Sequence, residues 1–160
     1  MSENHIEINI KNQTLTLISS NMNLEFPVSS AQNGIGQLLG SGCTPLGIHY
    51  VRAKVGFDLP INSVFVARRP TGEIYSPELS KSYPERDWIL TRILWLCGKE
   101  RGFNRLGNVD SMQRFIYIHG TPDSEPMGVP LSHGCIRMRN HDIIKLFDLT
   151  PIGTVVTICS

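Results

Sequence analysis

Two histidines and a cysteine crowd one part of the chain: Ile118-His119-Gly120-Thr121-Pro122, then Leu131-Ser132-His133-Gly134-Cys135-Ile136-Arg137-Met138. A free thiol titrates near ~8.5 and is only a few per cent thiolate at neutral pH, so a nucleophilic cysteine needs a neighbouring imidazole or a positive dipole. His133 is two residues from Cys135, which in an extended backbone puts both side chains on one face. His119 lies sixteen residues earlier and can return against the thiol through the intervening loop. Spacing alone does not choose between them. Gly134, just before the cysteine, removes a side chain where a substrate carbonyl would approach, and successive N–H groups at such a turn can point at a developing oxyanion.

The competing readings are plain ones. A buried, inert thiol is the commonest fate of a free cysteine. A zinc site from His119, His133, Cys135 and His141 has suitable ligand types but lacks the close-spaced pairs of structural zinc motifs. A caspase-like site also runs His then Cys, yet with its histidine about 50 residues upstream in a different local signature.

At this cluster the sequence resembles the L,D-transpeptidase catalytic domain family, also called the YkuD family. Its mark is a histidine, a loop, then Ser/Thr-His-Gly-Cys, an apolar residue and Asn or Arg. Here those are His119 and Ser132-His133-Gly134-Cys135-Ile136-Arg137. The resemblance continues through Met138-Arg139-Asn140 with Asp142 and an apolar helix, through Gly153-Thr154 and a Val/Ile strand, and upstream through Thr44-Pro45-Leu46-Gly47. It implies that Cys135 is the nucleophile, that His119 is its general base, and that the Gly120 carbonyl orients the imidazole. His133, Gly134 and Cys135 would supply oxyanion-hole amides. Ser132, Arg137 and Tyr117 would meet substrate, Arg137 by pairing with a carboxylate unless it is held in a structural ion pair.

The resemblance also implies a substrate: peptidoglycan stem peptides, cut between the L-centre of a diamino acid and the following D-residue through a thioester. It implies no metal and no cofactor, and acylation of Cys135 by carbapenem-type β-lactams. Water would release the acyl group as a carboxypeptidase product, whereas an amine would give a 3→3 cross-link or D-amino-acid exchange. The N-terminus, Met1-Ser2-Glu3-Asn4-His5, has no basic region or apolar core of the secretory kind. A cytoplasmic chain would meet soluble muropeptides rather than polymeric wall, so the expectation is an L,D-carboxypeptidase that trims the terminal D-Ala from tetrapeptides, with transpeptidation as the alternative. An idle peptide-binding module would not need the histidine and thiol.

The elements that must position these residues are mostly strands. The 160 residues suit one domain, 1–160, and 15 basic against 14 acidic side chains give no electrostatic case for nucleic acid or an anionic membrane. Four irregularly spaced cysteines do not make a disulfide scaffold. Ile6, Ile8 and Ile10 alternate with polar residues, as do residues 14–18, predicting a hairpin; 24–29 reads as an edge strand because of Pro27. Gly-rich 31–45 reads as a loop, and 47–52 and 63–67 as strands. The apolar run 88–97 suits a buried strand or helix, with strand preferred; its Arg92 would need a carboxylate partner if buried. Phe115-Ile116-Tyr117-Ile118 predicts a strand delivering His119, broken by Gly120, and 120–134 a functional loop. Asn140 is expected to cap a helix burying Ile143, Ile144, Leu146 and Phe147, and 154–158 to close the chain as a strand. Cys97 and Cys159 read as core thiols and Cys43 as loop-borne. The predicted class is mainly β, a YkuD-like β-sandwich with a short helix after the cysteine loop.

Overall fold

Alternation decides the first elements. In a computed structural model that describes residues 4–160, β1 (His5–Asn9) and β2 (Thr14–Ile18) pair antiparallel and bury Ile6, Ile8, Leu15 and Leu17 on one face. β3 (Asn23–Pro27) follows on β2. β4 (Gly47–Val55), β5 (Ser63–Val66) and β7 (Ile89–Gly98) arise from the β-branched and aromatic runs. The last section holds β8 (Tyr117–Thr121), β9 (Ile136–Arg139), helix α2 (Asn140–Leu149) and β10 (Val155–Cys159).

The run 88–97 forms β7, buried along nearly its whole length and paired with β4, β5 and β8. Such a strand has no polar face to alternate with. A bulge at Thr91 and Arg92 interrupts its pairing with β8, and Thr91 takes φ +76°. Arg92 is buried, with no carboxylate partner among the described residues; it donates to Leu59 O at 2.9 Å and Thr91 O at 2.7 Å.

All ten strands form one sheet, in the order β3-β2-β1-β10-β4-β7-β5-β6, where β6 is Arg69–Ile74, with β8 attached to β7 and β9 to β8. The sheet curls until its ends meet. The chain leaving β3 reaches β9, where Ser29 N donates to Arg137 O at 3.0 Å and Arg137 N donates to Ser29 O at 2.9 Å. Pro27 therefore ends β3 at a seam, and the exposed edge is short. The halves of the curled sheet share one core with α2, built from side chains such as Ile8, Leu94, Ile118, Ile136, Met138, Leu146 and Val156. Among the described residues no helix is long and apolar enough to cross a membrane.

Some expectations fail for physical reasons. β6 contains Pro70 and Gly72, and helix α1 (Pro77–Ser82) is six residues long; neither shows apolar periodicity, although Ser76 Oγ accepts from Leu79 N in an N-cap readable from Ser-Pro-Glu. Gly120 does not break β8 but lies inside it. A Cβ there would stand 2.4 Å from Asn140 Oδ1 and 2.6 Å from Leu90 O, so glycine permits close approach. Asn140 does not cap α2, whose N-cap is Arg139. Its buried amide instead donates to Asn62 Oδ1 at 3.0 Å and Asp123 Oδ1 at 3.3 Å, and accepts from Thr91 Oγ1 at 2.6 Å. Ile144 is only half-buried, while Ile143, Leu146 and Phe147 face the core. Cys97 is buried but Cys159 is exposed, because β10 turns its even-numbered residues inward.

Candidate active site

The parallel pairing of β8 with β9 sets Ile118 against Ile136, His119 against Arg137, and Gly120 against Met138. The even-numbered side chains Ile118, Ile136 and Met138 enter the core. Alternation then turns Tyr117, His119, Cys135 and Arg137 to the opposite face, where all four line a groove of about 380 Å³.

The half-buried thiol faces the groove from among backbone groups. Cys135 Sγ accepts the Tyr117 N–H at 3.3 Å and donates to Phe115 O at 3.3 Å. Burial pushes the thiol up to about 12; the Tyr117 N–H opposes this, Asp87 adds to it, and Arg137 and Arg114 oppose it more weakly. Burial likewise lowers the pKa of the His119 imidazole, against the pull of Asp87 and the Gly120 carbonyl. The pair therefore rests as thiol and neutral imidazole. His119 Nδ1 lies 2.6 Å from Gly120 O, and a carbonyl can only accept, so the ring proton sits on Nδ1 and Nε2 keeps its lone pair.

His133 separates from His119 on exposure. Its side chain is 71% exposed, with Nδ1 3.4 Å from Asp87 Oδ2, whereas His119 is buried. Asp87 also lies 3.2 Å from Arg137 Nη2, and Glu125 stands 4.0 Å from Nη1. Arg137 thus lines the groove while held in an ion pair with Asp87, the structural alternative to a free carboxylate receptor. Burial would raise the Asp87 pKa, but its neighbours His119, Arg137 and His133 together outweigh it and hold the carboxyl below its usual range. The sequence offered no sign of Asp87, one acid among 14 with no motif around it.

The turn before the thiol is stapled from behind. Ser132, expected at substrate, lines the groove with little exposed surface; its hydroxyl donates to Cys135 O at 2.5 Å and accepts the Gly134 N–H at 3.2 Å, so it also shapes the turn. Thr44 Oγ1 donates to Gly134 O at 2.9 Å, and Ser132 N donates to Ser30 O at 2.8 Å. Gly134 has φ +134°, and a Cβ there would face Cys43 O at 3.3 Å, so glycine serves backbone conformation and packing against the 43–44 segment. The His133 and Cys135 amides make no hydrogen bond among the described residues. The zinc alternative is not assembled: His141 is exposed on α2, and no metal-binding group of His, Cys, Asp and Glu occurs among the described residues.

The groove's other wall was not legible in the motif. Trp95, Phe115 and Tyr117 form an aromatic cluster with centroids 6.2 to 6.5 Å apart. Arg68 stacks on it, and Arg114 closes the floor by donating to Cys43 O at 2.6 Å and Gly36 O at 3.2 Å. Cys43, half-buried, contributes its carbonyl there.

The family model described as the L,D-transpeptidase catalytic domain, YkuD, matches residues 3–158. "Probable L,D-transpeptidase YbiS" of Escherichia coli K12 is 49% identical over 115 residues, which cover 70% of this chain and 35% of that protein. "Probable L,D-transpeptidase ErfK/SrfK" of Salmonella typhimurium is 51% identical over 45 residues, 28% of this chain and 15% of that protein. Among solved structures, L,D-transpeptidase 3 of Mycobacterium tuberculosis with a faropenem-derived adduct has TM-score 0.62 at 16% identity, covering 99% of this chain and 61% of that one. LdtMt1 in complex with imipenem has TM-score 0.59 at 18% identity, covering 99% of this chain and 59% of that one, and at these identities the likeness is one of fold. The matched region is therefore about a third of the curated relative's length.

Proposed function

Because this chain belongs to the L,D-transpeptidase catalytic domain (YkuD) family, we propose that it is a cysteine-dependent L,D-peptidase that acts on peptidoglycan stem peptides through a thioester on Cys135. The observation that carries this reading is the β8–β9 register, which puts a thiol and a lone-pair-bearing imidazole into one groove.

Both groups rest uncharged, so attack and proton transfer go together. As Sγ bonds to the carbonyl carbon of the diamino acid's L-centre, the thiol proton passes to His119 Nε2, and the Gly120 carbonyl holds the resulting imidazolium in place. The His133 and Cys135 amides, free of other partners among the described residues, are the donors for the oxyanion; the Gly134 amide is already engaged by Ser132. On collapse the C–N bond breaks, Nε2–H protonates the leaving amine of the D-residue, and a thioester remains.

The acceptor decides the product. Water as the acceptor yields the tripeptide and D-Ala from a tetrapeptide, and a cytoplasmic location would supply soluble muropeptides. An amine acceptor is the second reading, favoured by the names of the curated relatives, which read "Probable L,D-transpeptidase". Solved relatives with imipenem or a faropenem-derived adduct support acylation of Cys135 by carbapenem-type β-lactams as well.

The test is incubation with a soluble stem tetrapeptide ending in D-Ala, with and without an isotopically labelled D-amino acid, read by mass spectrometry. Tripeptide as the main product is the expected result; labelled tetrapeptide or peptide dimer would assign transfer instead. Unchanged tetrapeptide with folded protein would sink the peptidase reading.

A further inference from the structure

Three guanidiniums line the groove of Cys135, and two are already engaged. Arg137 is paired with Asp87, and Arg114 donates to Gly36 O, Ser41 Oγ and Cys43 O. Arg68 differs. Its single hydrogen bond among the described residues runs from Nη1 to Tyr117 Oη at 3.0 Å, and no carboxylate lies within ion-pair distance of it there.

The side chain is nonetheless held in place. Its guanidinium carbon stacks 4.3 Å from the Trp95 ring centroid and 4.9 Å from that of Phe115. Stacking fixes the plane of the fork while leaving its edge N–H groups free. The backbone beneath adopts an uncommon conformation to achieve this. Ala67 and Arg68 form the two-residue link between β5 and β6 with φ of 49° and 64°, a turn normally left to Asn and Gly. Backbone held in a sparsely populated region tends to mark a functional position. Tyr117 spans the gap to the nucleophile, since its hydroxyl takes the Arg68 bond while its own N–H donates to Cys135 Sγ at 3.3 Å. The cation therefore stands one tyrosine side chain from the thiol, on the same groove.

We propose that Arg68 is the substrate-carboxylate receptor of this site, reading a carboxylate near the attacked bond through its free edge. This rests on the peptidase reading for the identity of the peptide. A stem peptide offers two such groups: the terminal carboxylate of the D-residue, and the side-chain carboxylate of a diaminopimelate. A guanidinium–carboxylate contact adds both affinity and register, which a structural latch would not do selectively.

The experiment measures kcat/KM of wild type and Arg68→Gln on three peptides. They are the diaminopimelate tetrapeptide, its analogue with L-Lys in that place, and its C-terminal amide. On the parent peptide Arg68→Gln should lose about 10- to 100-fold, mostly in KM. The loss should shrink to about threefold or less on the one peptide that lacks the matching carboxylate, which identifies the source. Arg68→Lys keeps a cation on the aromatic faces and should show a smaller loss of the same pattern, which also covers a Gln variant that fails to fold. Equal losses on all three peptides, or none, would overturn the proposal. A second readout needs no turnover: in the Cys135→Ala background, Arg68→Gln should weaken binding of the parent peptide about 10-fold by calorimetry. Unchanged affinity, or no binding at all, overturns the assignment. Binding through Arg68 with no cleavage by wild type would instead overturn the peptidase reading alone.

Discussion

A thiol pushed up to about 12 beside an imidazole lowered by burial is a poor nucleophile until a substrate arrives. The consequence is visible in pH. His119 must be unprotonated to act as base, so the acid limb of kcat/KM should fall below the ordinary histidine value of 6.5, and no alkaline inflection should appear near the ordinary thiol value of 9.0. Iodoacetamide at pH ~7.5, followed by peptide mapping, should label exposed Cys159 faster than Cys135. Rapid Cys135 labelling, or a thiolate inflection near neutrality, would contradict the neutral resting pair. His119 and Cys135 were legible because their motif is local. Asp87 and Arg68 were not, because each joins the groove from a distant segment, and Arg114, though close to β8, is a lone charged residue with no pattern to read. Ser132 lines the groove where the motif places it, and its hydrogen bonds to Cys135 O and Gly134 N add that it holds the turn.

Between the strands, Asn140 is the tie. It joins Thr91 in the β7 bulge, Asn62 ahead of β5 and Asp123 in the loop after β8, and it occupies the space that Gly120 leaves open. Asn140→Ala should leave buried partners unsatisfied and destabilise the protein by about 2–3 kcal/mol, seen as a lower urea midpoint at unchanged m-value. A change within about 0.5 kcal/mol would remove Asn140 from that role. The hairpin, β4, β5, β7 and β10 were readable from alternation and β-branched composition. The cap expected at Asn140 and the break expected at Gly120 followed residue habit, and a buried contact between those two residues overrode both. The seam between Ser29 and Arg137 has no sequence period at all, since it joins segments more than 100 residues apart through backbone alone.

As a whole, the molecule carries its main core inside a curled sheet, with smaller clusters beside it, and burial sets how the fold answers to acid. His49 in β4 is fully buried, with Nδ1 3.0 Å from Gly47 O and Nε2 2.8 Å from Ser111 Oγ, and burial lowers it to about 4 from 6.5. Unfolding restores the ordinary value, so between those limits the unfolded chain holds more protons and stability falls as pH falls. The shift corresponds to about 3 kcal/mol, present above pH ~6.5 and lost by pH ~4, with buried His119 acting in the same direction. Urea unfolding at pH 7 and pH 4.5 should show this loss, and His49→Asn should reduce it; a wild type equally stable at both would refute the assignment. The central claim, a thioester on Cys135, is tested most directly by rapid acid quench of the protein mixed with stem tetrapeptide, followed by intact-mass measurement. The account predicts a tripeptidyl adduct on Cys135 in wild type, with neither adduct nor D-Ala release from Cys135→Ala, whereas D-Ala release by Cys135→Ala at the wild-type rate would contradict it.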